Sequence, residues 1–390
     1  MSPSLTEAIP QGHISEKKTV ATSVQKIQPE AGPVLEPFSA PALVDGVLRD
    51  TQEVDIHTQT SEKILAVLKP YHLTKSVDVN DRWELGAIKF ISVIRNFVSK
   101  GQTVQMCLPA FPWKSANKVY KVLGTLPDKA EELALKRLNG ICEAIGEVYK
   151  PGAELLIISD GLLYNDLFTI PDRDVWAYGE GLRALAAESG CTHIRFTRLK
   201  DLVNIPNLPD KLEEITYIAN ALNFRLALLN RYGKTDLDVT KEIAEKDDTR
   251  LTYCGYSRFL ENDLQYIFKV GGNMSRRKYR RDVKYVAKQM IYRGYAFGMA
   301  INENFPDYLR LSIHQSTGEH KVSINLLPTK TSYTTPWHCS VALLADGSFT
   351  SGPKGDFEDN PKFELVYEKD GRPSYFREME TGAVEDVDDY

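Results

Sequence analysis

Two of the seven histidines sit where they could move protons. His314 ends the alternating stretch Arg310-Leu311-Ser312-Ile313-His314, and His338 closes Thr335-Pro336-Trp337-His338. Imidazole changes charge nearer neutrality than other side chains, so both suit general acid–base work. A histidine can equally be a satisfied core residue. Asp160, in Ser159-Asp160-Gly161 directly after an apolar run, is the candidate carboxylate. At a strand tip it would take a proton, a hydroxyl or a substrate ammonium; the plainer reading is a turn cap. Three His or carboxylate ligands at metal spacing do not occur, so no metal is expected.

Anionic substrates need cations and hydrogen-bond donors. The loop after the run Val104–Leu108 supplies Lys114, Ser115, Asn117 and Lys118, although no GxxxxGK[ST] is present. A second basic stretch, Ser275 to Arg281, opens a helix reaching Tyr292. At about 100° per residue, Val283, Ala287 and Met290 make its inward stripe. Arg276 and Arg280 fall on that stripe, whereas Arg277, Arg281, Lys284 and Lys288 turn toward solvent. A buried arginine needs an anionic partner. Arg276 and Arg280 are therefore expected to grip a phosphate or carboxylate, or a structural acid. Arg310 and Ser312 share a strand face with His314, and such a face is costly unless it lines a cavity. Asp263, in Arg258-Phe259-Leu260-Glu261-Asn262-Asp263, could pair with one of these cations or face water.

The elements that must hold these groups alternate. Helices are expected from near Ser61 to just before Pro70 and from Asp81 to Ser99, the latter with Ile88, Ile91, Ile94 and Val98 on one face. Then come a strand at Val104–Leu108, a helix at Lys129–Tyr149, a doubly buried strand at Glu154–Ser159 and a helix at Asp174–Glu188. A strand at His193–Phe196 and helices at Lys211–Tyr232 and Asp236–Ala244 follow. Strands alternating with helices predict an α/β fold: a Rossmann-like, mostly parallel sheet with flanking helices. In the last third, residues 309–314 and 322–326 alternate around Ser316-Thr317-Gly318-Glu319 and read as a hairpin. Asp346-Gly347 and Asp370-Gly371 mark further hairpins, so the sheet should finish with antiparallel strands. The expected organisation is a poorly ordered lead-in over 1–55, one domain over 56–378 and an acidic tail over 379–390.

Composition narrows the function class. A net charge of -5 argues against a general nucleic-acid binder. No apolar run approaches the roughly 18 residues of a membrane-spanning helix, and the N-terminus lacks a signal-peptide core. Cys107, Cys142, Cys191, Cys254 and Cys339 are scattered without CxxC spacing, as for buried thiols in a reducing cytoplasm.

Six blocks together resemble the pyoverdine/dityrosine biosynthesis family, the isocyanide (isonitrile) synthases. They are LPAFPWKSANK at 108–118, GTLPDKAEELAL at 124–135, ISDG at 158–161, GYSRFLEND at 255–263, RLSIHQ at 310–315 and TPWH at 335–338. The resemblance runs from about residue 60 to 350, and the lead-in is similar to fungal versions. It implies that the amino group of an L-amino acid (tyrosine, valine or tryptophan) condenses with the C2 ketone of ribulose 5-phosphate. Sugar fragmentation then leaves the former carbonyl carbon on nitrogen as an isonitrile. It implies no cofactor beyond the co-substrate, and no dinucleotide GxGxxG is present. It also implies downstream 2-oxoglutarate oxygenase or synthetase modules, fused or separate, with this chain stand-alone or excised from a larger enzyme.

The residues are compatible with that chemistry. Lys114, Arg276 and Arg280 would cradle the sugar phosphate; Arg310 or Lys118 would meet the amino acid carboxylate; His314, His338 and Asp160 would carry protons. Two other readings are an N-formyl amino acid synthase, as in the dityrosine branch, and a non-catalytic sugar-phosphate or amino-acid binder. A SAM-dependent methyltransferase would want a Gly-rich loop where this chain has Pro112 and Lys114.

Overall fold

A computed structural model describes residues 55–73, 81–159, 161–209, 211–265, 267 and 274–379. Contacts divide the chain into Met1–Gln52 and Glu53–Tyr390, and the described residues all lie in the second unit. The expected lead-in and tail therefore fall outside the described residues, apart from Asp55 and Met379.

The helices are α1 (Ile56–Leu68), α2 (Trp83–Val98), α3 (Lys129–Val148), α4 (Gly161–Tyr164), α5 (Asp172–Glu188), α6 (Glu214–Tyr232), α7 (Val239–Glu245), α8 (Asp247–Asp263), α9 (Arg276–Asn304) and α10 (Lys354–Glu358). The strands are β1 (Val104–Pro109), β2 (Ala153–Ser159), β3 (Ile194–Arg198), β4 (Leu309–Ser312), β5 (Val322–Ser323), β6 (Ser340–Leu343), β7 (Phe349–Gly352), β8 (Phe363–Tyr367) and β9 (Pro373–Glu378). One sheet has the order β3-β2-β1-β4-β5 and is parallel throughout. Helices cover both of its faces, as the apolar runs of β1 and β2 require. The second sheet has the order β7-β6-β9-β8.

The mostly parallel α/β reading holds, with three corrections. The 309–326 region is not a hairpin: β4 and β5 run parallel, Leu311 opposite Val322 and Ser312 opposite Ser323. The chain between them is pulled over α2 rather than turned. Arg82 N donates to Thr317 O at 2.6 Å, and Thr317 N donates to Asp248 Oδ1 at 2.6 Å. Gly318 sits at φ 80°, and a Cβ at Gly86 would stand 1.8 Å from Gly318 O. Only glycine admits so close a backbone approach. Secondly, the Asp346-Gly347 and Asp370-Gly371 turns do join antiparallel pairs, β6–β7 and β8–β9, but in a separate sheet that also contains a parallel β6–β9 pair. Thirdly, of the face expected for α2, Ile94 and Val98 are buried but Ile88 is 69% exposed; Trp83, Phe90 and Phe97 complete the buried side.

Candidate active site

The chain winds one way from β1 to β3 and the other way through β4. At that reversal the loops leaving β1 and β4 separate, which opens a crevice at the strands' carboxyl ends. A cleft of ≈240 Å³ lies there, between Pro109, Arg310 and Ser312 on the sheet side and Tyr256 of α8 and Met290 and Gly294 of α9. A small aromatic chamber of ≈40 Å³ adjoins it, walled by Trp113, Phe168, Phe259 and Trp337. A wider space of ≈560 Å³ extends along residues 329–335. His314 borders all three, and His338 borders the second and third.

The two histidines have different surroundings. The Tyr256 ring stands edge-on to His314, with centroids 5.0 Å apart at 86°. Ser323 Oγ donates to His314 O at 2.6 Å and fixes the backbone. Burial, reinforced by the nearby Lys321 and His338, pushes the His314 imidazole down to about 3, so it is neutral at physiological pH. His338 belongs to the short 3-10 turn Pro336–His338 and lies against Phe259, centroids 4.4 Å apart. Its Nδ1 is 3.0 Å from Asp263 Oδ2, at pairing distance though off the line of an ideal hydrogen bond. The Lys121 ammonium holds the other Asp263 oxygen. Burial alone would raise Asp263, but Lys121 and His338 overturn that and hold its carboxyl at about 2. Burial pushes His338 below the ordinary histidine range, with Asp263 opposing. A carboxylate facing Nδ1 favours the tautomer with its proton there and leaves Nε2 as the base.

Lys114 does not face the cleft. Its side chain is fully buried, 2.8 Å from Asp128 Oδ2 and 2.7 Å from Glu131 Oε2, and it donates to Pro336 O at 3.2 Å. The same two carboxylates form the capping box of α3: Asp128 accepts from Ala130 N and Glu131 accepts from Asp128 N. Although burial opposes the charge, Asp128 and Glu131 hold the Lys114 ammonium above the usual lysine range. The lysine thus locks the loop after β1, the start of α3 and the 336–338 turn together. Ser115 N donates to Trp337 O at 2.8 Å, and Asn117 Nδ2 donates to Asn262 O at 3.0 Å. Phe111 adopts φ 58°, a strained setting for a bulky residue, with its ring 5.0 Å from Trp337.

Comparison with known proteins bears on this geometry. The family model described as "Pyoverdine/dityrosine biosynthesis protein" matches residues 94–366. This chain belongs to that family. The isocyanide synthase-NRPS hybrid crmA of Aspergillus fumigatus is 54% identical over 318 residues, covering 82% of this chain and 20% of that one. The L-tyrosine isonitrile synthase of Xenorhabdus nematophila is 33% identical over 284 residues, covering 73% of this chain and 80% of that one. The crystal structure of the PvcA protein from Pseudomonas aeruginosa superposes with a TM-score of 0.70 at 29% identity, covering 82% of this chain and 99% of that one. The matched region spans between 20% and 51% of the length of three fungal relatives.

The family's blocks converge in space. RLSIHQ lines the cleft, TPWH and GYSRFLEND meet through His338 and Asp263, and the loop of LPAFPWKSANK braces them. Of the expected site residues, His314, Arg310 and Ser312 share the ≈240 Å³ cleft, with His338 beyond His314. Asp160 lies outside the described residues. Ser115 and Asn117 are buried in internal hydrogen bonds, and Lys118 is exposed. Arg276 and Arg280 are exposed, contrary to the inward reading. The buried stripe of α9 begins at Tyr279, four residues before Val283 on the same face. The Tyr279 hydroxyl donates to Glu261 O at 2.6 Å, and Arg276 and Arg280 lie to the solvent side of the stripe. Arg280 pairs with Glu261 at 3.1 Å on the surface. Cys254 is exposed, whereas the other four thiols are buried. Sequence reasoning missed Lys121 and Lys321, and it left Asp263 between pairing with one of the cations then considered and facing water; its partners are Lys121 and His338. Lys121 lies just beyond the LPAFPWKSANK loop, and its partner on α8 gave no signal, because the helix Asp247–Asp263 was not foreseen.

Proposed function

We propose that this chain is an isocyanide synthase, converting the amino group of an L-amino acid to an isonitrile with ribulose 5-phosphate as carbon donor. The observation that carries this reading is that two half-buried histidines border the same aromatic chamber and the wider space beside it, one of them backed by Asp263 and Lys121. The proposed chemistry is a chain of proton transfers. The substrate ammonium loses a proton before attacking the C2 ketone. Water leaves as the imine forms, and the sugar carbon–carbon bonds then break by successive deprotonation and reprotonation. His338, with Nε2 free to accept, serves as general base; the imidazolium so formed is stabilised by Asp263. His314, neutral and bordering all three spaces, lies where two substrates would meet. With phosphate, water and small carbonyl fragments as the other products, atoms and electrons balance, so the reaction draws on no redox cofactor. Relatives named for tyrosine and tryptophan isonitriles support an amino acid as the amine. The named NRPS hybrid supports synthetase modules as partners. No described helix is long and apolar enough to cross a membrane.

The test is incubation with ribulose 5-phosphate and tyrosine, tryptophan or valine in turn, with tetrazine trapping and mass spectrometry. A trapped isonitrile that requires both substrates is expected. An N-formyl product instead would select the dityrosine-type reaction, and no product from any amino acid would refute the reading.

A further inference from the structure

The cleft must bind an anion if the co-substrate is a sugar phosphate, and four of the cations first considered are not there. Lys114 is neutralised by two carboxylates, and Lys118, Arg276 and Arg280 face solvent. Of the cations around the three spaces, Lys121 is paired with Asp263, and Arg258 and Lys330 are exposed. Two remain, Arg310 and Lys321, both on the ≈240 Å³ cleft. Neither forms an ion pair among the described residues.

We propose that Arg310 and Lys321 form the phosphate-binding end of the cleft and take the phosphomonoester of a phosphorylated sugar. This rests on the functional reading above. Arg310 projects from β4 at the sheet's reversal and is tethered by weak bonds from Nη1 to Gly298 O at 3.4 Å and Asn302 Oδ1 at 3.3 Å. Both acceptors are neutral, and Nε and Nη2 have no protein acceptor among the described residues. Lys321 reaches the cleft from the end of the 313–321 connection. The two acids in the wall are already engaged: Glu242 with Lys246 at 2.7 Å, and Asp248 with Thr317 N at 2.6 Å. Arg310 and Lys321 are half-buried cations with no ion pair among the described residues, Asp248 acting on Lys321 only from beyond pairing distance. Such cations are costly to desolvate, and a dianion relieves both. A guanidinium fork and an ammonium together match the charge and the several oxygens of a phosphate better than those of a single carboxylate. The phosphate would then lie at the switch point, with the sugar chain leading toward His314.

Burial pushes Lys321 down to about 8, with Asp248 opposing and Arg310 reinforcing. An incoming anion raises it, so binding should take up a proton near that pH. Arg310 stays charged throughout, and His314 is neutral there.

Calorimetric titration of the full chain with inorganic phosphate and with ribulose 5-phosphate tests the proposal, alongside steady-state kinetics. For Arg310→Gln and Lys321→Gln, at least tenfold weaker binding of both probes is expected, with the KM for the amino acid unchanged. Lys321→Arg keeps the charge; it should retain binding and lose the proton uptake. Arg310→Lys serves if the glutamine variant does not fold. Unchanged phosphate affinity in both glutamine variants, or a rise confined to the amino acid KM, overturns the proposal. Isonitrile formation with indifferent phosphate binding overturns this inference alone. Phosphate binding lost in both variants, without isonitrile from any amino acid in the native chain, overturns the functional reading and leaves the anion site.

Discussion

Replacing Lys114 by methionine separates a structural lysine from a substrate-binding one. The substitution keeps the volume and removes the ammonium between Asp128 and Glu131, 2.8 and 2.7 Å away. Two carboxylates then share a buried site without a cation. Removing one partner of a buried ion pair costs about 3–5 kcal/mol, which for a chain of this size lowers Tm by roughly 4–7 °C. The pH dependence sharpens the test. Burial, opposed by Lys114 and helped by Glu131, raises the Asp128 carboxyl from 3.8 to about 7. The folded state therefore holds the extra proton, and stability falls as the pH rises from 3.8 through 7, then levels. Without the lysine, whose charge lowers it, the Asp128 carboxyl must stay protonated to higher pH, at about 1.4 kcal/mol per unit. The loss in the variant should grow by more than about 1 kcal/mol between pH 6 and 8. Thermal unfolding across that range measures it. Lys114→Met/Asp128→Asn/Glu131→Gln should regain most of the lost stability, because the amides keep acceptors for the α3 cap. An unchanged Tm together with a raised KM for ribulose 5-phosphate alone would put Lys114 back in the substrate site.

Other expectations follow from single contacts. Asp263→Asn leaves Lys121 unpaired and His338 without its carboxylate, so kcat should fall by about 100-fold or more at little changed KM; a folded variant with native kcat would remove the relay. Arg276→Gln and Arg280→Gln, both on exposed positions, should stay within about 0.5 kcal/mol of native stability with native kinetics; a tenfold rise in either KM would contradict their surface placement. Gly86→Ala brings a Cβ 1.8 Å from Gly318 O, so the connection bearing His314 and Lys321 must shift and both Tm and kcat/KM should drop; an alanine variant with both intact would mean the contact is loose. His314 is neutral down to about 3 against 6.5 for the free side chain, so its contribution is present above 6.5 and is lost on acidification. That amounts to no more than about 2 kcal/mol by pH 5, and His314→Gln should flatten the fall in Tm between pH 7 and 5. Equal slopes in the two proteins would place the imidazole in water.

Periodicity found the elements whose two sides differ and failed where partners come from afar. β1, β2, α3 and α5 were visible because apolar runs and helical periodicity are local signals. The capping box of α3 has a second use with no local signal: nothing at 128–131 announces that both acids also neutralise Lys114. The helical wheel correctly chose Val283, Ala287 and Met290 for the inward stripe. It failed for Arg276 and Arg280 because the centre of the stripe runs through Tyr279, Val283 and Val286, which leaves the two arginines on its solvent side. There Tyr279 takes the inward place, and the arginines reach water at no desolvation cost. Alternation at 309–314 and 322–326 identified two strands but not their direction, since period two is blind to it; direction was set by Gly86, Arg82 and Asp248 holding the connection over α2. That reversal determines the candidate site. An antiparallel return would carry residue 321 away from Arg310's end of the strand. The parallel one brings Lys321 back to the cleft beside Arg310, which is why the cation pair was legible only in three dimensions.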